Sequence, residues 1–248
     1  MDIKDKTIVV WFSCGAASAV AAKKTVEKYG QYNNIIIANT PIHEEDDDNR
    51  RFLNDISGWI GLPINKVTAS KYPDSSIVEV FGKKKYMSGI HGAPCTTELK
   101  KQARYEFETT INIDYHVLGF TADEKHRHER FITGERNNVI PVLIDENISK
   151  KDCFDILRES GIKLPRIYGL GFPNANCVGC VKSTSVTYWN LVRKKFPNVF
   201  AQRAIQSRDI GCKLVIRKGK RIYLDQLLET DRGNKIKSWD CGIFCDKY

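Results

Sequence analysis

Eight cysteines stand at positions 14, 95, 153, 177, 180, 212, 241 and 245 of the 248-residue chain. Two pairs are closely spaced, Cys177-Val-Gly-Cys180 and Cys241-Gly-Ile-Phe-Cys245. A Cys-x-x-Cys span lets two sulfurs bite one centre, so such pairs point to metal or redox chemistry in a reducing compartment rather than to disulfides. Together with Cys95 they supply four or five thiolates, which suits zinc or an iron–sulfur cluster, and spacing does not separate the two. The plainer alternative is a buried apolar Cys95 and coincidental pairs. Cys14 would have its pKa lowered by a helix start beside it, although packing in a tight loop accounts for it as well. Cys153 and Cys212 receive no role.

A second constellation is Ser13-Cys14-Gly15-Ala16-Ala17-Ser18. Small residues let the backbone approach an anion, a helix N-terminus supplies N–H donors and a positive dipole end, and two serines add hydroxyls. The segment lacks the Gly-Lys-Ser/Thr of a Walker loop and the Gly-x-Gly-x-x-Gly of a dinucleotide fingerprint. On chemistry alone it is an anion site or a tight packing turn.

Three charged or aromatic groups complete the inventory. His43-Glu-Glu-Asp-Asp-Asp48 could hold Mg²⁺ beside phosphates, Glu45 and Asp46 being the better ligands, or could be an acidic helix start. In Lys125-His-Arg127-His-Glu-Arg130, Arg127 and Arg130 lie three apart and can share a helix face as a phosphate clamp, or serve surface ion pairs; Lys100 and Lys101 are similar candidates. Tyr188 and Trp189 could stack on a base, but suit a helix core better.

The elements that must position these groups alternate. Apolar β-forming runs at 7–12, 35–39, 64–68, 115–119 and 139–144 read as strands buried on both faces. Helices are expected to about Tyr29 after the small-residue loop, over 46–60 with Phe52, Ile56, Trp59 and Ile60 on one face, over 96–108, and from the Ser149 cap to about Ser160. Residues 70–95 read as a loop or lid with a short helix near 77–81. After Gly161 a Gly/Pro-rich stretch carries the first cysteine pair, followed by helices near 183–195 and 198–208.

This pattern predicts an α/β fold: a Rossmann-like, HUP-type, doubly wound parallel sheet over residues 1–160, with a helical, cysteine-bearing extension over 161–248. Ligands of such sheets sit at the carboxyl ends of strands, where Ser13–Ser18, Asn39–Glu45 and Gly119–Arg130 would all fall. No apolar run approaches the length of a membrane span, and the N-terminus lacks the pattern of a secretory signal; a soluble, cytoplasmic protein is expected. The net charge of +9 is concentrated: residues 191–223 hold ten Lys or Arg and the single acid Asp209. Such a block fits a polyanionic partner, or a solvated basic face.

Strand plus Ser13-Cys-Gly-Ala-Ala-Ser18 resembles the PP-loop of the adenine nucleotide α-hydrolase-like superfamily, usually Ser-Gly-Gly-x-Asp-Ser. The chain as a whole resembles the phosphoadenosine phosphosulfate (PAPS) reductase family, especially its phage and bacterial members. The matching residues, in order, are Asn39-Thr40, Ala93-Pro-Cys-Thr96 with Glu98-Leu-Lys100, Leu118-Gly-Phe-Thr-Ala-Asp-Glu124, Glu129-Arg-Phe131, Asn176-Cys-Val-Gly-Cys180, Tyr188-Trp-Asn190 and Cys241-Gly-Ile-Phe-Cys245. The resemblance implies an adenine nucleotide, ATP or PAPS, bound by Ser13 to Ser18 with Asn39, Thr40, Gly119, Arg127 and Arg130. It implies a 4Fe–4S cluster rather than zinc on thiolates drawn from Cys95, Cys177, Cys180, Cys241 and Cys245. Asp240-Cys-Gly-Ile also resembles the tail of PAPS reductases, whose cysteine attacks sulfur, so Cys241 carries two expectations, ligand and catalytic nucleophile. Three departures stand out. Cys14 replaces the loop's first glycine, Ala17 replaces its aspartate, and Thr121 stands where reductases tend to carry an arginine.

Three functions are therefore expected. The first is ATP-dependent activation and thiolation of a nucleic-acid or small-molecule substrate, with a sulfur donor. The second is reduction of PAPS to sulfite through Cys241 with a thioredoxin-type reductant. The third is a nucleotide- or nucleic-acid-binding module without catalysis.

Overall fold

A computed structural model describes residues 3–89 and 92–236. Cys241 and Cys245 lie outside the described residues. The chain divides into two compact units, each assembled from separated segments: the first from residues 1–41, 47–70 and 103–165, the second from 42–46, 71–102 and 166–248. The second unit thus holds more than a C-terminal extension, because the acidic run and the 71–102 segment belong to it.

The first unit is built on five parallel strands, β1 (Thr7–Trp11), β2 (Asn34–Asn39), β3 (Ile64–Lys66), β4 (Tyr115–Val117) and β5 (Val139–Ile140), in the order β3-β2-β1-β4-β5. The central strand β1 is apolar throughout its interior because it is covered on both faces, and Ile8, Val9 and Val10 are fully buried. The strand order reverses between β1 and β4. Right-handed crossovers must then place helices on opposite faces, which makes the β1/β4 rim the switch point of a Rossmann-like α/β sheet.

Four residues separate β1 from helix Ala16–Tyr29, which ends at Gly30. Helix Asp48–Ile60 buries Phe52, Ile56 and Ile60, as its spacing predicts, and ends on Gly61 in the left-handed conformation. Helix Lys150–Glu159 has a complete capping box, with Ser149 and Asp152 satisfying each other's backbone N–H groups. One expected strand is shorter than anticipated. Only Val139–Ile140 pairs with β4; Pro141 cannot donate to the ladder, and Val142–Asp145 turns helical.

The second unit has its own core, in which Tyr72, Phe81, Tyr188, Trp189 and Val192 are buried together with Cys177 and Cys180. Its main helices are Ile77–Lys84, Val186–Lys195 and Pro197–Ile210. The segment expected as one helix over 96–108 begins as a π-helix, Thr96–Lys101, before turning α-helical at Gln102. An antiparallel hairpin, β6 (Val215–Arg217) and β7 (Lys220–Ile222), follows; its two-residue turn, Lys218-Gly219, has φ of 49° and 76°. Those signs mark the primed turn that matches strand twist.

Candidate functional site

The small-residue loop joins β1 to helix Ala16–Tyr29 at the switch point. Its centre is Ser18, whose hydroxyl accepts from the Ser13 N–H at 3.1 Å and donates to the Gly15 carbonyl at 3.0 Å. The Ser13 hydroxyl lies 3.2 Å from it. These bonds hold the loop in a tight arch over the helix N-terminus. Gly15, the residue before the helix, is extended and has no side chain with which to cap it, and the positive end of the helix dipole lies at this loop.

Two neighbours fix the arch. Asn39, buried at the end of β2, donates from Nδ2 to the Phe12 carbonyl at 2.8 Å, and the same nitrogen lies 3.8 Å from Cys14 Sγ. Gly119, just past β4, approaches so closely that a β-carbon there would lie 2.7 Å from the Ser18 backbone nitrogen. Only glycine permits this contact. Thr40 is buried beside Asn39. The structure therefore brings together Ser13 to Ser18, Asn39 and Gly119 within one unit.

Cys14 has φ of 56°, in the left-handed region where glycine is at ease. This explains why a loop of this shape carries glycine there, and it means Cys14 holds a strained conformation costing on the order of 1 kcal/mol. Its side chain is buried and lies 4.0 Å from the Asn49 carbonyl, so packing accounts for it.

The two arginines differ. Arg127 is ion-paired with Glu124, and its guanidinium lies 5.4 Å from the centre of the Phe120 ring. Arg130 is exposed on helix Lys125–Gly134. Thr121 is buried, and its hydroxyl and N–H both lie 3.4 Å from Glu124 Oε2. At the position where reductases tend to carry arginine, this chain has a local cap instead.

In the second unit the acidic run is largely matched to cations and donors. Glu44 accepts from the Ser76 hydroxyl at 2.7 Å and the Ile77 N–H at 2.9 Å, capping helix Ile77–Lys84. Asp46 pairs with Arg166 at 2.9 Å, and Glu45 lies 4.0 Å from Lys100. These carboxylates serve the fold. Tyr188 and Trp189 are likewise core residues, 2% and 0% exposed, and do not present a stacking surface.

The Cys177-Val-Gly-Cys180 turn depends on Gly179 at φ of 71°. It is pinned by the Val178 N–H donating to the Glu44 carbonyl at 2.9 Å and the Cys180 N–H donating to the Tyr188 hydroxyl at 2.7 Å. Burial, with the thiols of Cys180 and Cys177 nearby, raises the Tyr188 hydroxyl well above its ordinary range. Cys95 is half-buried immediately before the π-helix. Among the described residues, no three His, Cys, Asp or Glu side chains are gathered closely enough to hold a metal ion. The donor set nevertheless fits a thiophilic centre in kind: Cys95 and Cys177 both act electrostatically on buried Arg203, and Cys177 and Cys180 both act on Tyr188.

Cys153 and Cys212 are held toward the thiol form. Burial pushes the Cys153 thiol up to about 12 and raises that of Cys212. Sequence reasoning missed Arg203 because it counted within a basic block, and a lone arginine in a helix carries no sign of being buried. The block itself is mixed: Arg208 pairs with Asp225 and Arg217 with Asp231, whereas Lys194, Lys195, Lys213, Lys218, Lys220 and Arg221 are exposed. Among the described residues no helix is long and apolar enough to cross a membrane.

No protein-family model matches the chain, and no curated protein matches it in sequence. Among solved structures it is similar to the U34-tRNA thiolase NcsA of Methanococcus maripaludis with its 4Fe–4S cluster, at 12% identity and a TM-score of 0.46, over 84% of this chain and 72% of that one.

Proposed function

We propose that this chain is an adenine-nucleotide-dependent enzyme of the PP-loop kind, allied to the PAPS reductase family, that uses ATP to activate an oxygen of its substrate and replaces it with sulfur. The observation that carries this reading is the arch at the β1/β4 switch point. Ser18 ties down Ser13 and Gly15, Gly119 lets β4 close on the helix start, and the loop of small residues sits at the N-terminal, positive end of the helix dipole, where an anion is favoured.

In the proposed reaction the loop and helix dipole hold the phosphates of ATP. A substrate oxygen attacks the α-phosphorus, the bond to the β-phosphate breaks, and pyrophosphate leaves. A sulfide-level nucleophile from a sulfur donor then displaces AMP, so sulfur replaces oxygen without net redox change. Mg²⁺ would travel with the phosphates. Cys95, Cys177 and Cys180, with Cys241 or Cys245, would ligate a 4Fe–4S cluster. When bound, such a cluster supplies a thiophilic Lewis acid for the sulfur species. The exposed lysines of the 191–223 block favour a nucleic-acid substrate such as tRNA or DNA, because their charge displaces phosphate counterions.

The test uses anaerobically purified protein. Iron analysis with an absorption spectrum reads the cluster, and pyrophosphate release from ATP with added tRNA or DNA reads activation. Protein that neither binds nor hydrolyses ATP ends this reading. Ala17, in place of the loop aspartate, supports a second one: a binding module without turnover, which would bind ATP and release no pyrophosphate with any nucleic acid. PAPS reduction through Cys241 is disfavoured by the buried Thr121 cap; sulfite formation with thioredoxin would reinstate it.

A further inference from the structure

The second unit carries surface cations on two segments that the sequence keeps far apart. One is Lys83-Lys84-Lys85, at the end of helix Ile77–Lys84; the other is 211–223, which holds Lys213, Arg217, Lys218, Lys220 and Arg221 and no acid. Cys212 joins them, its Sγ donating to the Ser88 carbonyl at 3.5 Å. Lys85 stands three residues before Ser88, a stretch of chain that spans at most about 11 Å. Arg221 reaches back from β7 and donates from Nη1 to the Lys213 carbonyl at 3.3 Å. Acids neutralise part of the set: Lys83 pairs with Glu79, Lys84 with Glu98 and Arg217 with Asp231. Lys85, Lys213, Lys218, Lys220 and Arg221 are exposed, and none of them makes an ion pair among the described residues.

Two of these lysines sit where a lysine is costly. Lys85, closing helix Ile77–Lys84, has φ of 50°, and Lys218, the first residue of the hairpin turn, has φ of 49°. Glycine or asparagine holds the left-handed conformation at less cost at both kinds of position. Neither ammonium makes a hydrogen bond or ion pair among the described residues, so what each offers is its charge at the surface. The hairpin spreads that charge. Successive side chains of a strand point to opposite faces, so Lys220 and Arg221 project from opposite faces of the ribbon, and Lys218 from its tip. Cations on both faces suit a slot with phosphates on either side. The major groove of B-form DNA is such a slot, about 12 Å wide and open to a two-stranded ribbon, whereas that of A-form RNA is deep and narrow. Single strands are held instead on rings open to stacking. Tyr223, the ring beside the hairpin, is half-buried and already has the Arg208 guanidinium 4.0 Å and the Lys213 ammonium 5.6 Å from its centre.

Resting on the nucleic-acid reading above and narrowing it, we propose that the hairpin tip, with Lys213 and Lys85, is a docking surface for double-helical DNA, held through the phosphates on both sides of a groove. Lys218, Lys220 and Arg221 enter the groove, and Lys213 and Lys85 meet the backbone on the Arg221 side. Contacts of this kind fix the position of a duplex without reading its sequence.

The test reads fluorescence anisotropy of the full-length protein, without ATP, on a short DNA duplex of mixed sequence, on its single strand and on the matching RNA duplex, each over a series of salt concentrations. Wild type should hold the DNA duplex several-fold tighter than either of the others. Lys85→Asn and Lys218→Asn remove a charge and keep a residue at ease in the left-handed conformation. Each should weaken duplex binding a few-fold and lower the logarithmic salt slope by about one. Lys218→Asn also gives the turn its preferred Asn-Gly pair, so its melting temperature should equal or exceed that of wild type while its binding falls. Lys220→Gln, on a regular strand, gives the same reading should either turn variant fold poorly. Lys28→Ala, exposed at the end of helix Ala16–Tyr29 in the first unit, should leave the slope unchanged. Equal or tighter binding of the single strand or the RNA duplex overturns the proposal, as do unchanged slopes in the Lys85, Lys218 and Lys220 variants or an equal loss in Lys28→Ala. Protein that binds the duplex through these lysines yet releases no pyrophosphate from ATP ends the thiolation reading and leaves the docking surface standing.

Discussion

His116 shows how a single buried side chain sets a pH limit. Trp11 Nε1 donates to its Nδ1 at 3.1 Å, and the two rings stack. Burial first, and then the nearby charges of Arg136 and Arg104, push its pKa down to about 3. The unfolded chain binds the proton near pH 6.5 and the folded chain does not, so stability is intact above that value and drains away as pH falls toward 3. Wild type should lose about 2 kcal/mol between pH 7 and pH 5 from this group, read as the shift in urea unfolding. His116→Gln should flatten that slope; an equal slope in both proteins would refute the account. The burial of this strand was legible in its apolar run, but the added effect of Arg136 and Arg104 on its histidine was not, because those residues meet it only through the fold. Cys14 was half legible. Its departure from the loop pattern could be seen, but the left-handed φ that makes the departure costly depends on the closed arch.

Elements were the most legible scale, because period and punctuation are local. Four of the five strands and the main helices fall where alternation and capping residues place them. The exceptions have separate causes. Pro141 cut a strand short, and the π-helical start after Cys95 follows no sequence period. The basic hairpin went unread because Lys-Gly is a weaker turn signal than Asn-Gly. Two predictions belong here. Gly119→Ala forces a β-carbon toward the Ser18 backbone, so it should displace the start of helix Ala16–Tyr29. ATP affinity, measured by calorimetry, should drop by about tenfold or more while the far-ultraviolet circular dichroism is kept. Undiminished affinity would remove the arch from the nucleotide site. Lys218, Lys220 and Arg221 crowd the hairpin turn, exposed. Reversing all three to Glu should weaken tRNA or DNA binding and reduce its salt slope by about three, if these side chains meet phosphates. A slope equal to wild type would reduce the block to a solvated face.

At the scale of the whole molecule, chain order and compact units do not coincide. The sequence divides where its texture changes, near Gly161, whereas each compact unit is assembled from separated segments. The membership of 42–46 and 71–102 could not be read, because it depends on which apolar residues meet. Tyr72, Phe81 and Leu99 share a core with Ile167 and Trp189, more than sixty positions away. A fragment spanning residues 1–165 would carry Tyr72, Val80 and Phe81 without the helices that cover them. It should aggregate or unfold well below the full chain's melting temperature, as light scattering during a thermal ramp would show. A cooperative, monomeric fragment would contradict the division.

The same discontinuity has a consequence during synthesis. Cys95 and its surrounding segment leave the ribosome with residues 71–102, but Cys177, Cys180 and Arg203 belong to the stretch that begins at 166. At roughly 5–20 residues per second, about 4 to 16 s separate the synthesis of Cys95 from that of Cys177, and through that interval the thiol and its apolar neighbours are unassembled. Oxidants and chaperones thus meet an early cysteine that has no native surroundings yet.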